Sequence, residues 1–276
     1  MSDRRSNDDF PSASPLISGA RAGGALAEAP TRVYLSLIVP AYNEAARLPA
    51  TLDRLREYLE AQSYSYEVIV VDDGSRDRTM ELVERIAGEW EQLRCVPNER
   101  NRGKGYSVKH GVLESRGTDI LFSDADLSTP IEESERLLRL IAKGECDIAI
   151  GSRALPDSEL EVRQPFWREW MGRMFNKIVQ RLSVPGIQDT QCGFKAFRGD
   201  IARRLFPLQQ IDGFAFDVEI LFLARKFGFR IAEVPVRWIN SPDSRVSGIK
   251  HSWRMFNEVL TVRKNDRRGL YDRPAT

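Results

Sequence analysis

Residues 33–42 read VYLSLIVPAY, a nearly unbroken apolar and β-branched run that ends in the polar pair Asn43-Glu44. The run predicts a strand covered on both faces, as the strands of a parallel sheet are. Outward from it one rhythm repeats. Residues 44–62 carry Leu48, Leu52, Leu55 and Leu59 at spacings of three and four, which predicts an amphipathic helix. Strands are expected at 67–73 (EVIVVDD), near 93–96, at 119–126 (DILFSDAD) and at 147–153 (DIAIGSR), with helices over 77–90, 104–116 and 130–143 between them. Strands alternating with helices imply right-handed crossovers, hence a Rossmann-like α/β fold: a mostly parallel sheet with helices on both faces. Ligands then collect at the carboxyl ends of the strands. Asn43-Glu44, Asp72-Asp73, Asp124/Asp126 and Arg153 all fall there.

The rhythm breaks after Arg153. Residues 163–182 form a helical stripe with Trp167, Trp170, Met171, Phe175 and Val179 on one face and arginines flanking it. Such a helix suits either a protein core or a membrane headgroup region. A strand near 193–198, a helix at 216–228, a strand at 230–238 and a helix at 249–264 complete the expected elements. Residues 1–32, rich in Ser, Ala, Gly, Pro and charge, are expected to be a disordered tail. A single domain then spans 33–265, its nucleotide part at 33–153 and its acceptor part at 154–265. A polar tail follows at 266–276.

Composition narrows the partners. The 41 basic and 40 acidic side chains leave a formal charge of +1, which gives no global basis for binding nucleic acid. Three dispersed cysteines show no Cys-x-x-Cys spacing, and two histidines leave little material for a zinc site. No apolar run approaches the roughly 18 residues of a membrane-spanning helix, and no secretory leader is evident. The expected location is cytoplasmic, peripheral on the cytoplasmic membrane face through residues 163–182.

Asp124-x-Asp126 directly follows an apolar strand, so two carboxylates can share one hard cation, Mg²⁺ or Mn²⁺, and leave positions open for phosphate oxygens. Asp72-Asp73-Gly74-Ser75 closes a second strand, where a carboxylate can accept from a nucleobase or ribose. Asn101-Arg102-Gly103-Lys104-Gly105 can present backbone N–H groups and Lys104 to phosphate or base. It lacks the spacing of a nucleotide-triphosphatase P-loop. The sequence after the first strand, PAYNEAAR, has no Gly-rich signature of a sugar nucleotidyltransferase.

VPAYNE, VVDDGS, NRGKG, DADLS, GSR and DTQCGFK occur in this order. Together they resemble the family-2 glycosyltransferases of the GT-A fold, over about residues 35–255. More narrowly they resemble the members that load a sugar onto polyprenyl phosphate, the dolichyl-phosphate glucosyltransferases and mannose synthases. The resemblance implies a nucleoside pocket lined by Pro40, Tyr42, Glu44 and Asp73 with Lys104 near it. It also implies a metal on Asp124 and Asp126, and Arg153 facing phosphate. Arg245, Gly248 and Lys250 resemble a mobile basic loop that closes over the donor diphosphate. Mannose synthases often carry Gln where Ser128 stands, so Ser128 and DTQCGFK favour glucose. UDP-glucose is thus the favoured donor, GDP-mannose the alternative, and polyprenyl phosphate the acceptor. A lipid monophosphate, with a second pKa near ~6, needs no general base. A sugar hydroxyl would, and Asp189 is the candidate for that role. The processive synthases carry Gln-x-x-Arg-Trp. Here Val234 precedes Arg237-Trp238 in place of the Gln.

Overall fold

A computed structural model describes residues 32–158, 184–239 and 248–272, of which 248–256 are described by their backbone. Residues 1–31 of the expected tail 1–32, the expected helix at 163–182, Arg245 and the side chain of Lys250 lie outside the described residues. The strands are β1 (Leu35–Ala41), β2 (Tyr66–Asp72), β3 (Leu93–Pro97), β4 (Asp119–Ser123), β5 (Ile148–Ser152), β6 (Phe194–Arg198) and β7 (Ile231–Pro235). The described helices are α1 (Leu48–Glu60), α2 (Thr79–Ala87), α3 (Lys104–Glu114), α4 (Ser134–Ala142), α5 (Gly199–Leu205), α6 (Phe216–Lys226) and α7 (Gly248–Arg267).

The strands form one sheet in the order β3-β2-β1-β4-β6-β5-β7. All pair in parallel except β6, which runs antiparallel between β4 and β5. The mostly parallel α/β sheet is therefore as expected, and the reversed strand has a functional consequence. It carries residues 189–193 to the edge where β1, β2, β4 and β5 end.

Successive side chains of a strand point to opposite faces, and both faces are covered. Leu37, Val39, Val68, Val70 and Leu121 pack with α1, α2 and α4 through Leu52, Leu55, Val83 and Leu137. Ile38, Ile69, Val71, Ile120 and Phe122 pack with α3, α5, α6 and α7 through Val108, Val112, Ile201, Val218 and Val259. The unbroken apolar runs in the sequence are this double coverage.

Two departures from the expected bounds bear on the packing. α1 starts at Leu48 rather than Glu44 because Pro49, which cannot donate a helical N–H, sits in its first turn. Residues 44–47 form a tight turn in which the Glu44 carbonyl accepts from the Arg47 and Leu48 N–H groups. Residues 266–272, expected to be polar tail, carry one core side chain. Tyr271 is fully buried and donates to Glu219 at 2.5 Å.

Candidate active site

The loops after β1 and β2 are laced together. Asn43, held at φ 55°, donates its N–H to Ser75 Oγ at 2.9 Å and accepts from the Arg76 N–H at 2.8 Å. The Glu44 N–H donates to Thr79 Oγ1 at 2.8 Å. Pro40 and Tyr42 lie half-buried on the same strand end.

Asp73 is buried, and its carboxylate faces the protein. It accepts from Asn98 Nδ2 at 2.8 Å, the Arg102 N–H at 2.9 Å and the Gly103 N–H at 2.8 Å. This corrects the reading of the Asn101–Gly105 loop as a source of backbone donors. The N–H groups of Arg102 and Gly103 are spent on Asp73, and what the loop delivers is Lys104. Gly74 permits the arrangement, since at φ 66° a Cβ there would lie 2.6 Å from the Arg100 carbonyl carbon. Asn98 Oδ1 also accepts from His110 Nδ1 at 2.7 Å, so that histidine serves the scaffold.

Asp124 and Asp126 leave the end of β4 toward the same edge. The Asp124 N–H donates to the Gly193 carbonyl at 3.0 Å, which ties the first aspartate to the segment entering β6. A Cβ on Gly193 would stand 2.0 Å from Asp124 Oδ2, so only glycine leaves room for this carboxylate. Lys104 Nζ lies 2.5 Å from Asp124 Oδ1. Burial works against the Lys104 ammonium, but Asp124, with Asp217 and Asp126, more than offsets it and holds its pKa above the ordinary lysine value. Asp126 Oδ1 accepts from the Ser128 N–H at 3.0 Å. The Ser128 carbonyl in turn accepts from the Ile239 N–H at 2.7 Å, which seats the chain just before 240–247 beside the aspartates. Thr51 Oγ1 donates to the Ala125 carbonyl at 2.7 Å and anchors the triplet to α1.

Arg47, absent from the expected site, bridges two members of it. Its guanidinium makes a paired contact with Glu44, including Nη2 to Oε1 at 2.7 Å, and approaches Asp126 Oδ2 at 3.9 Å. The i,i+3 spacing of Glu44 and Arg47 is the signal that could have found it.

Arg153 and Asp189 form a bidentate pair, Nε to Oδ2 at 2.7 Å and Nη2 to Oδ1 at 2.9 Å, with the Arg153 N–H also on Oδ2 at 3.0 Å. Burial would raise the Asp189 pKa. The Arg153 charge and its hydrogen bonds outweigh that and bring it to about 2. A carboxylate held so low is a poor proton acceptor. Trp238 lies under the Arg153 guanidinium, its ring centroid 5.6 Å away. Behind Asp124, Lys195 is buried on β6 and donates to Asp217 Oδ1 and the Cys192 carbonyl, each at 2.5 Å. Glu219 is buried too and accepts the N–H groups of Gln210 and Ile211. Asp217 and Glu219 are thus structural carboxylates inside the domain.

The Asp124 side chain is 39% exposed and that of Asp126 19%. They offer hard oxygen donors at an open strand end. Among the described residues no set of three or more His, Cys, Asp or Glu forms a protein-only cation site. Two carboxylates completed by phosphate oxygens are the arrangement Mg²⁺ and Mn²⁺ use with nucleotides, and the residues present fit it.

Residues 36–206 match the family model for glycosyl transferase family 2. A dolichyl-phosphate beta-glucosyltransferase from Dictyostelium discoideum is 42% identical over 242 residues, covering 84% of this chain and 74% of that protein. The Homo sapiens protein of the same name is 36% identical over 248 residues, 86% and 76% of the two chains. Two solved structures share the fold. Mannosyl-3-phosphoglycerate synthase from Rubrobacter xylanophilus aligns with a TM-score of 0.64 at 17% identity, covering 86% of this chain and 75% of its own. Glucosyl-3-phosphoglycerate synthase from Mycobacterium tuberculosis, solved with Mn²⁺, UDP and glucosyl-3-phosphoglycerate, aligns with a TM-score of 0.62 at 19% identity, covering 83% and 78%. With this family match, these identities and the GT-A sheet, the chain belongs to glycosyl transferase family 2, among the dolichyl-phosphate β-glucosyltransferases.

Proposed function

We propose that the protein transfers glucose from UDP-glucose to a polyprenyl phosphate, with inversion at the anomeric carbon. The names of the relatives supply the sugar and the acceptor class. The observation that carries the chemistry is the Arg153–Asp189 pair. It occupies the carboxylate that the sequence offered as the candidate base, which suits an acceptor already ionised at neutral pH. Asp124 and Asp126 would hold the divalent ion, which when bound supplies positive charge to the leaving diphosphate.

The other groups orient and neutralise. Asp73 fixes the 101–105 loop, so that Lys104 stands at the strand edge. Pro40, Tyr42 and Glu44 border the nucleoside side, and Arg47 keeps Glu44 and Asp126 in register. Arg153 would meet phosphate from its perch on Asp189. Arg245 and Lys250 would close over the diphosphate. The polyprenyl tail is assigned to residues 163–182, with their tryptophans and arginines. Among the described residues no helix is long and apolar enough to cross a membrane.

The test is a donor-by-acceptor screen: UDP-glucose or GDP-mannose, polyprenyl phosphate or a sugar hydroxyl acceptor, with Mg²⁺, Mn²⁺ or chelator. Lipid-linked glucose formed from UDP-glucose and lost with chelator is the expected result. Activity that survives chelation removes the metal from the proposal, and transfer only to a hydroxyl removes the lipid phosphate.

A pH profile examines the missing base. The acidic limb of turnover is expected to follow the second ionisation of the acceptor phosphate, near ~6. Asp189 titrates far below that limb, so its pair with Arg153 stays ionised across the working range. Asp189→Asn should therefore leave the limb in place even where the rate falls. A limb that disappears in this variant identifies Asp189 as the base and overturns the scheme.

A further inference from the structure

Lys104 touches one of the two carboxylates assigned to the metal. Its Nζ lies 2.5 Å from Asp124 Oδ1, a close ion pair. An ammonium in that place competes with a divalent cation for the same oxygen. Asp126 differs, because its cationic neighbour Arg47 stands off at 3.9 Å and is already paired with Glu44. Behind Lys104, the Asp217 carboxylate is neutralised by Lys195. A metal arriving on Asp124 alone would thus strand the Lys104 charge beside another cation. An anionic oxygen of the donor diphosphate would relieve both.

We propose that Lys104 is a placeholder cation that makes metal binding conditional on the donor. It occupies Asp124 in the donor-free enzyme and passes to a diphosphate oxygen when the metal takes Asp124. This rests on the assignment of Asp124 and Asp126 as metal ligands. Coupling of this kind is reciprocal between the two ligands and commonly amounts to about 5- to 150-fold. A residue that served only to bind nucleotide, or only to hold the loop, would not weaken metal binding in the nucleotide-free protein. The placeholder does, and its removal therefore has a distinctive sign.

The experiment is Mn²⁺ titration of the full chain followed by electron paramagnetic resonance of the free ion, at one pH, with and without saturating UDP. Wild type is expected to bind Mn²⁺ weakly alone and at least about tenfold more tightly with UDP. Lys104→Met and Lys104→Gln should each bind Mn²⁺ alone at least about fivefold more tightly than wild type, with a smaller enhancement by UDP. Lys104→Arg, which keeps the charge, should stay near wild type. Neutral variants that bind Mn²⁺ no more tightly, or that keep the full enhancement, overturn the proposal. Asp124→Asn separates the two levels. If it abolishes Mn²⁺ binding while the lysine variants fail, only the placeholder falls. If it leaves Mn²⁺ binding with UDP unchanged, the metal assignment falls and the placeholder with it.

Discussion

Replacing Gly193 by alanine is expected to lower glucosyl transfer by at least about 100-fold while the protein stays folded. The added Cβ would lie 2.0 Å from Asp124 Oδ2 and 2.3 Å from its Cγ, distances no real contact adopts. The backbone cannot yield easily, because the Asp124 N–H is bonded to the Gly193 carbonyl itself. The carboxylate has to swing away instead, and with it goes the Lys104 contact at 2.5 Å. A reacting group displaced by about 1 Å costs on the order of 10²-fold, since positioning supplies much of the rate. Gly151, on the adjoining strand, is the control. A Cβ there would meet Cys192 Sγ at 3.1 Å, Val236 Cγ1 at 3.2 Å and the Phe194 carbonyl oxygen at 3.3 Å, a milder crowding than at Gly193 and away from the Asp124 carboxylate. Turnover of both variants with UDP-glucose and polyprenyl phosphate, beside thermal melts, makes the measurement. Wild-type turnover in Gly193→Ala would show that Asp124 does not act from this position.

Most of the sheet was legible because its strands are buried on both faces and so read as unbroken apolar runs. The strand-end carboxylates were legible for a related reason, since parallel strands deliver their carboxyl ends to one edge. What the residues did not disclose is pairing over long separations. The run 194–198 reads as a strand, but nothing local says that it reverses between β4 and β5. That reversal brings Gly193 against Asp124 and Asp189 against Arg153. Asp73 and Asp189 were singled out as carboxylates with chemistry to do, and both prove to be held by partners far along the chain. A carboxylate that binds ligand and one that binds the protein's own loop look alike in sequence. Lys195 did leave a sign. A lysine within the otherwise apolar run FKAF needs a buried counter-charge, and Asp217 provides it.

Lys195→Met is expected to destabilise the protein by about 3–5 kcal/mol at neutral pH, the cost of breaking a buried ion pair by removing one partner. Lys195 is 1% exposed and Asp217 4%, so water cannot replace the lost ammonium. Folded domains hold only about 5–15 kcal/mol in total, which makes this a large share. The loss should also depend on pH. Burial already raises the Asp217 pKa despite the opposing charges of Lys195 and Lys104, and removal of Lys195 raises it further. A carboxyl whose folded pKa exceeds its unfolded value is relatively favoured below the unfolded value and penalised as pH rises through the folded one. Urea denaturation should therefore show a larger deficit at pH 8 than at pH 5. Lys195→Met combined with Asp217→Leu should recover most of the stability, since the cost lies in the uncompensated charge rather than in the absence of the pair. A single variant that loses less than about 1 kcal/mol at pH 8, or a double variant no more stable than the single one, would place the cost elsewhere.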